Sequence, residues 1–250
     1  MSRIAIMAAM HEELHTLLAL MPDEQRHLLG GREFWVGRLQ GREVVVVLSR
    51  IGKVAAATTA TLLATHFDVR ELLFTGVAGG LGEGVRVGDV VVADLLLQHD
   101  LDASPLFPRY EVPLYGRSRF ATDARLNRAL QEAAEVVLGA SATHLGEAAV
   151  QAFGLGKARV HGGLVISGDQ FVASAAQSGA LRAALPDALA VEMEGAAVAQ
   201  VCHDLGVPCA VVRTISDRAD DTAERDFGAF VREVASHYSS AIVLRYLQGG

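Results

Sequence analysis

Short runs rich in valine and isoleucine alternate with helical patterns along this chain. The strand candidates are Ile4–Ala8, Glu33–Val36, Val44–Leu48, Leu72–Val77, Val90–Leu97, Val160–Ile166, Ala190–Met193 and Ala210–Ile215. Many are apolar on both faces, so both faces must be covered, as happens in sheets sandwiched by helices. Between them the apolar spacing predicts helices over Glu12–Leu20, Val54–Phe67, Asp123–Leu138, Ala180–Leu185, Ala196–Leu205 and Phe227–Leu247. This alternation implies an α/β fold with a mixed central β-sheet flanked by helices. With 250 residues, 51% of them hydrophobic, the chain can bury a large core. No internal repeat, linker or low-complexity tract divides it, so residues 1–250 read as a single domain.

The charge balance narrows the partners. A formal net charge of −7 repels a phosphate backbone and argues against nucleic-acid binding, while leaving small purine-containing substrates open. No apolar run reaches the roughly 20 residues that span a bilayer, so no membrane partner is expected. The apolar start, Ile4–Ala8, reads as a buried first strand rather than a leader, because two glutamates follow it at once. The two cysteines, Cys202 and Cys209, read as reduced, packed thiols of a cytoplasmic protein.

Three features invite a functional reading. His11-Glu12-Glu13-Leu14-His15 matches H-E-x-x-H, the helical zinc motif. It stands at the very start of a helix, with no H-x-x-G-x-x-H extension behind it, and no metal is expected. Gly76-Val-Ala-Gly79-Gly80-Leu-Gly82-Glu-Gly84 follows a strand and permits close approach of a ligand to the backbone. A tight turn without a ligand explains those glycines equally well, and they match neither a dinucleotide nor a triphosphate loop. Gln98–Phe120 lacks periodicity but carries Pro105, Pro108 and Pro113 among Phe107, Tyr110 and Tyr115, which suits an ordered loop over a pocket or subunit contact.

Open α/β sheets bind ligands beyond the carboxyl ends of their strands. Here those ends carry Glu13, Ser167-Gly168-Asp169, Glu192-Met193-Glu194 and Ser216-Asp217. Each acid alone could be a helix-end or capping residue. Together they make capping an insufficient account and point to one site at the carboxyl edge of the sheet.

Met10-His-Glu-Glu13, Ile51-Gly-Lys-Val54, Thr75-Gly-Val-Ala-Gly-Gly80, Ile166-Ser-Gly-Asp-Gln-Phe171, Val191-Glu-Met-Glu194 and Arg213-Thr-Ile-Ser-Asp217 follow one another in the chain. In this order they resemble the motifs of 5′-methylthioadenosine/S-adenosylhomocysteine nucleosidases of the nucleoside phosphorylase superfamily. The resemblance runs from residue 1 to the last helix. It implies a three-layer αβα fold and hydrolysis of the N-glycosidic bond of an adenine nucleoside, without a cofactor. It makes Glu13 the base that activates water at C1′ and Asp217 the acid that protonates purine N7, supported by Ser216. Glu194 then holds the ribose hydroxyls and Met193 packs beside the sugar, Arg213 organises the acids, and Glu192 is a further substrate-binding position. Phe171 and Val172 match the adenine site, Ile51 and Phe227 the 5′-substituent pocket, and Val77, Ala78 and Gly79 of the glycine cluster are substrate-binding positions. The resemblance also implies a homodimer in which loop 100–115 completes the partner's site.

Departures from the pattern leave two relatives in play. His11 stands where an acid is usual, Val77 where serine is common, and Arg50 where glycine is common. Arginines bind phosphate in the phosphorylases, so Arg50 keeps a phosphate-dependent purine nucleoside phosphorylase as an alternative. A different 5′-substituent gives the other alternative, an aminodeoxyfutalosine nucleosidase, because an apolar pocket discriminates weakly between such groups. A nucleoside-binding protein without catalysis is disfavoured by retention of all three carboxylates.

Overall fold

The computed structural model describes residues 2–9, 11–220 and 223–249, apart from the side chains of Glu12, Glu13, Glu224, Arg225, Asp226, Ala229 and Arg232. The strands are β1 (Arg3–Ala8), β2 (Gln25–Leu29), β3 (Arg32–Leu39), β4 (Arg42–Leu48), β5 (Val69–Gly80), β6 (Val90–Gln98), β7 (Arg119–Ala121), β8 (Val160–Ser167), β9 (Ala188–Glu192) and β10 (Cys209–Asp217). The helices are α1 (His11–Ala19), α2 (Lys53–His66), α3 (Ala124–Gly139), α4 (Ser141–Leu145), α5 (Glu147–Ala152), α6 (Ala175–Ala184), α7 (Gly195–Leu205), α8 (Ala223–Phe230) and α9 (Ser236–Gly249).

The period of two along each strand builds the layers. In β1, Ile4, Ile6 and Ala8 face a cluster with Leu14 and Leu17 of α1, Leu126 and Leu130 of α3, and Ile242 and Val243 of α9. The intervening Ala5 and Met7 face Ala56, Ala60 and Leu63 of α2 and Val198 and Cys202 of α7. In β4 the same alternation sends Val44 and Val46 one way and Val45 and Val47 the other. The result is a mixed α/β sheet covered by helices on both faces, as the both-sided apolar runs require.

One sheet connects all the strands, and it closes on itself through β5. β5 pairs in parallel with β1 and β10, and its tip pairs antiparallel with β9, Gly79 opposite Val191 and Gly80 opposite Ala190. β10 pairs antiparallel with β6, β6 parallel with β8, and β8 parallel with β9, which completes the ring. This corrects the expectation of a shared carboxyl edge. β9 arrives at β5 from the opposite direction, so Glu192 and Asp217 meet across the tip of β5 instead of lying side by side.

Several boundaries differ from the sequence reading. β2 is an exposed edge strand, Gln-Arg-His-Leu-Leu, with no apolar alternation to reveal it. α6 begins at Ala175, five residues before the expected start. Its cap is Ser174, whose side chain accepts from the Gln177 amide. Met193 lies beyond β9 rather than within it. The long final helix starts at Ala223 and contains a π-helical stretch over Val231–Ala235. His11 is the exposed first residue of α1, and His15 is exposed on the same helix. Cys202 and Cys209 are both unbridged and buried, on α7 and β10. The Cys202 thiol is pushed well up by its contact with Cys209 and by burial.

Candidate active site

A cavity of about 470 Å³ opens at the tip of β5. Its wall contains Ile51, Val77, Ala78, Gly79, Phe171, Val172, Glu192, Met193, Glu194, Arg213, Ser216, Asp217 and Phe227. These are the residues singled out from the sequence, with one exception. The side chain of Glu13 falls outside the described residues, although α1, which carries it, begins two residues after Ala9 of the wall. Ala9, Thr75, Gly76, Gln170 and Val191 complete the lining and were not anticipated. Thr75 and Gly76 continue the β5 run already read as part of the glycine cluster, so strand alternation could have placed them.

Asp217 ends β10 and is 2% exposed. Its Oδ2 accepts from the Ser216 hydroxyl at 2.8 Å and its Oδ1 from the Ala219 amide at 2.8 Å. The neighbouring strand determines how closely the backbone can approach it. A Cβ on Gly79 would stand 2.9 Å from Asp217 Oδ1, so glycine at 79 makes room for the carboxylate.

Glu194 is 5% exposed and immediately precedes α7. Its Oε1 accepts from the Gly52 amide at 2.8 Å. Gly52 holds φ at +97° as the N-cap of α2, a conformation that suits glycine. The bond therefore ties the Ile51-Gly-Lys segment to the Val-Glu-Met-Glu segment across 142 residues of sequence.

Glu192 lies behind Glu194. Its carboxylate accepts from Arg213 Nη2 at 2.8 Å, from the amides of Glu194 and Gly195, and from the Ser167 hydroxyl in a very short contact. The Ser167 hydroxyl in turn accepts from the Ala196 amide at 2.7 Å. These bonds satisfy the first amides of α7, where a carboxylate is favoured by the helix dipole. Arg213 also stacks over Phe74, 4.1 Å from the ring centroid, and donates to the Phe74 carbonyl. Glu192 thus lines the cavity with both oxygens engaged by protein donors.

The mouth is aromatic and aliphatic. Phe171 and Phe227 meet edge to face with centroids 5.6 Å apart, and Phe171 and Ile51 remain 41% and 58% exposed. The segment carrying Phe171 is pinned by charge. Lys53 Nζ lies 2.5 Å from Asp100 and 3.7 Å from Asp169, the Lys53 amide donates to Asp169, and the Asp169 amide donates to Asp100. The start of the loop expected to be ordered, Gln98–Phe120, is therefore bonded to the first residue of α2 and to the turn after β8. Next to this network His99 is buried beneath Gly168, and its Nε2 has no partner among the described residues. Burial holds its imidazole below the usual range, partly opposed by Asp100.

The sequence profile of the phosphorylase superfamily matches residues 3–248. The chain belongs to this superfamily. A 5′-methylthioadenosine/S-adenosylhomocysteine nucleosidase from a Marinomonas species is 36% identical over 250 residues, covering all of both chains. A structure of the same nucleosidase from Neisseria meningitidis, in complex with methylthio-immucillin-A, superposes with a TM-score of 0.87 at 32% identity over the whole of both chains. A futalosine hydrolase mutant of Helicobacter pylori gives 0.83 at 34% identity, covering 98% of each chain. Within the superfamily, this chain belongs with the methylthioadenosine/S-adenosylhomocysteine nucleosidases.

Val77 lines the cavity and packs against the core, giving the wall an apolar face where a hydroxyl is common. Arg50, at φ +68°, turns its guanidinium away to the Gly31 carbonyl in the β2–β3 turn, in a very short contact. It is not part of the cavity wall. Among the described residues the one cation lining the cavity is Arg213, and Glu192 pairs with it. The H-E-x-x-H histidines are exposed, and no group of three or more metal-binding side chains occurs among the described residues.

Proposed function

We propose that this protein hydrolyses the N-glycosidic bond of 5′-methylthioadenosine and S-adenosylhomocysteine, and of 5′-deoxyadenosine, releasing adenine and the 5-substituted ribose. The observation that carries this reading is the pair of buried carboxylates, Glu194 and Asp217, facing one cavity whose mouth is apolar. Cleavage leaves positive charge on the ribose and negative charge on adenine. Carboxylates beside the sugar stabilise the first, and a proton from Asp217 to purine N7 neutralises the second.

In this reading Glu13 activates the water that attacks C1′ from the face opposite adenine, a division of labour like that of inverting glycosidases. Ser216 and the Ala219 amide fix the Asp217 carboxyl. Glu194, oriented by Gly52, takes the ribose hydroxyls, and Met193 packs against the sugar. Adenine lies against Phe171 and Val172, with Val77, Ala78 and Gly79 on its other side. The 5′-thio group runs between Ile51 and Phe227. Glu192 and Arg213 hold Glu194 in place from behind.

Arg50 faces away from the cavity, which removes the feature that favoured a phosphate-dependent reaction. A 5′-substituent larger than methylthio can leave through the exposed end at Ile51, so aminodeoxyfutalosine stays a candidate substrate. The exposed apolar residues Val54, Leu106 and Leu114, near Ile51 and in the 100–115 loop, support a homodimer whose partner covers this mouth. The two unbridged thiols suit a cytoplasmic location, and release of adenine from methylthioadenosine suits a place in methionine salvage.

The test is adenine release from methylthioadenosine with and without phosphate. Equal rates are expected. Strict dependence on phosphate would replace hydrolysis with phosphorolysis. A panel that includes S-adenosylhomocysteine, 5′-deoxyadenosine and aminodeoxyfutalosine ranks the substrates.

A further inference from the structure

A second cavity, of about 440 Å³, lies at the opposite end of β5. Ile4, Arg42, Arg70, Glu71, Arg125, Tyr246 and Leu247 line it, contributed by β1, β4, β5, α3 and α9. From Glu71 to Gly79, β5 covers about 26 Å at roughly 3.3 Å per residue, so this cavity is separate from the catalytic one.

Its charge is unusual for this protein. Three arginines surround one acid, while the whole chain carries a formal −7. Glu71 is buried, at 5% exposure, and its oxygens are already committed. Oε2 pairs with Arg125 at 2.9 Å, and Oε1 accepts from the Tyr246 hydroxyl at 2.7 Å. Arg70 forms a longer ion pair with Oε1 at 3.6 Å, and the Arg42 guanidinium has no hydrogen bond or ion pair among the described residues. Three guanidiniums therefore share one carboxylate, and the group presents a net charge of +2 to a partly enclosed space. A local excess of positive charge of this kind attracts anions.

We propose that this cavity is a binding site for a small multivalent oxyanion such as a pyrophosphate or phosphate-ester group. Arg42 and Arg70 grip it with their planar forks, and Glu71, itself held by Tyr246, positions Arg125 beside it. The Tyr246 hydroxyl gives its one proton to Glu71 Oε1, so it fixes that carboxylate and leaves the anion to the guanidiniums. The ribose-binding acids of the other cavity play no part in this site.

Pyrophosphate titrated into the full-length protein at constant ionic strength, followed by calorimetry, tests the site. Saturable binding is expected, weakened about ten-fold or more in Arg42→Gln/Arg70→Gln, with adenine release unchanged in that variant. Both side chains are partly exposed, and thermal melting of the variant verifies that it folds. Absence of binding beyond a chloride control, or equal binding by the variant, would overturn the proposal. Adenine release without phosphate is measured separately, so either conclusion can fail without the other.

Discussion

Arg213 and Glu192 form an ion pair at 2.8 Å with side-chain exposures of 1% and 2%. Such a pair is tolerated because each member has further partners, the Phe74 carbonyl and ring on one side and the first amides of α7 on the other. Removing one partner leaves a buried charge uncompensated. Arg213→Met is expected to lower stability by about 3–5 kcal/mol and to release Glu194 from its position. Urea unfolding followed by circular dichroism measures the first effect, and adenine release the second. A loss under about 1 kcal/mol would mean that the pair does not organise the site.

Asp217→Asn keeps the shape of the side chain and removes the transferable proton. Adenine release is expected to fall about 10²–10⁴-fold while the thermal midpoint changes little. Glu13→Gln should behave in the same way. Ser216→Ala removes one bond to the Asp217 carboxyl and should cost about ten-fold in kcat. A fully active Asp217→Asn enzyme would remove Asp217 from the chemistry.

Gly79→Ala tests the steric argument. The added methyl would sit 2.9 Å from Asp217 Oδ1 and 3.0 Å from the Ala219 Cβ, so the acid or its turn must move. The expected cost is about 1–3 kcal/mol in stability, with a fall in kcat exceeding any change in KM. Unchanged kinetics would show that the turn gives way freely.

His99 provides a pH test. Its folded imidazole titrates below the ordinary 6.5, chiefly because it is buried. Below about pH 6.5 the unfolded chain takes up a proton that the native protein resists. The stability from this group is therefore complete above that pH and drains away as pH falls toward the folded value. Denaturant midpoints for wild type should decline on acidification through this window more steeply than for His99→Gln. Parallel curves would rule out the imidazole as the source.

The sequence made the layers legible because strand alternation and helix spacing are local. Ile4 and Ala5 could be sent to opposite faces without knowing their neighbours. The cavity wall was legible for a related reason: Glu194 and Asp217 stand where strands run out, and their surrounding motifs are distinctive. What stayed hidden depends on pairing between distant segments. No local pattern says that β9 meets β5 in antiparallel fashion, or that Arg50 folds back onto Gly31. The edge strand β2 buries too little apolar surface to leave a periodic trace. The start of α6 was readable, since Ser174 and Gln177 have capping-box spacing ahead of the helix.

β5 is held by three strands, and its tip is held further by the Leu81 and Gly82 amides, both donating to the Leu189 carbonyl. A strand clamped in this way has no edge from which to fray. The floor of the catalytic cavity can open only when the ring of strands comes apart, so its amide hydrogens belong with the slowest-exchanging set in the molecule. Substrate must enter past the exposed rim of side chains, and a partly melted enzyme would retain an intact floor until the last cooperative step of unfolding.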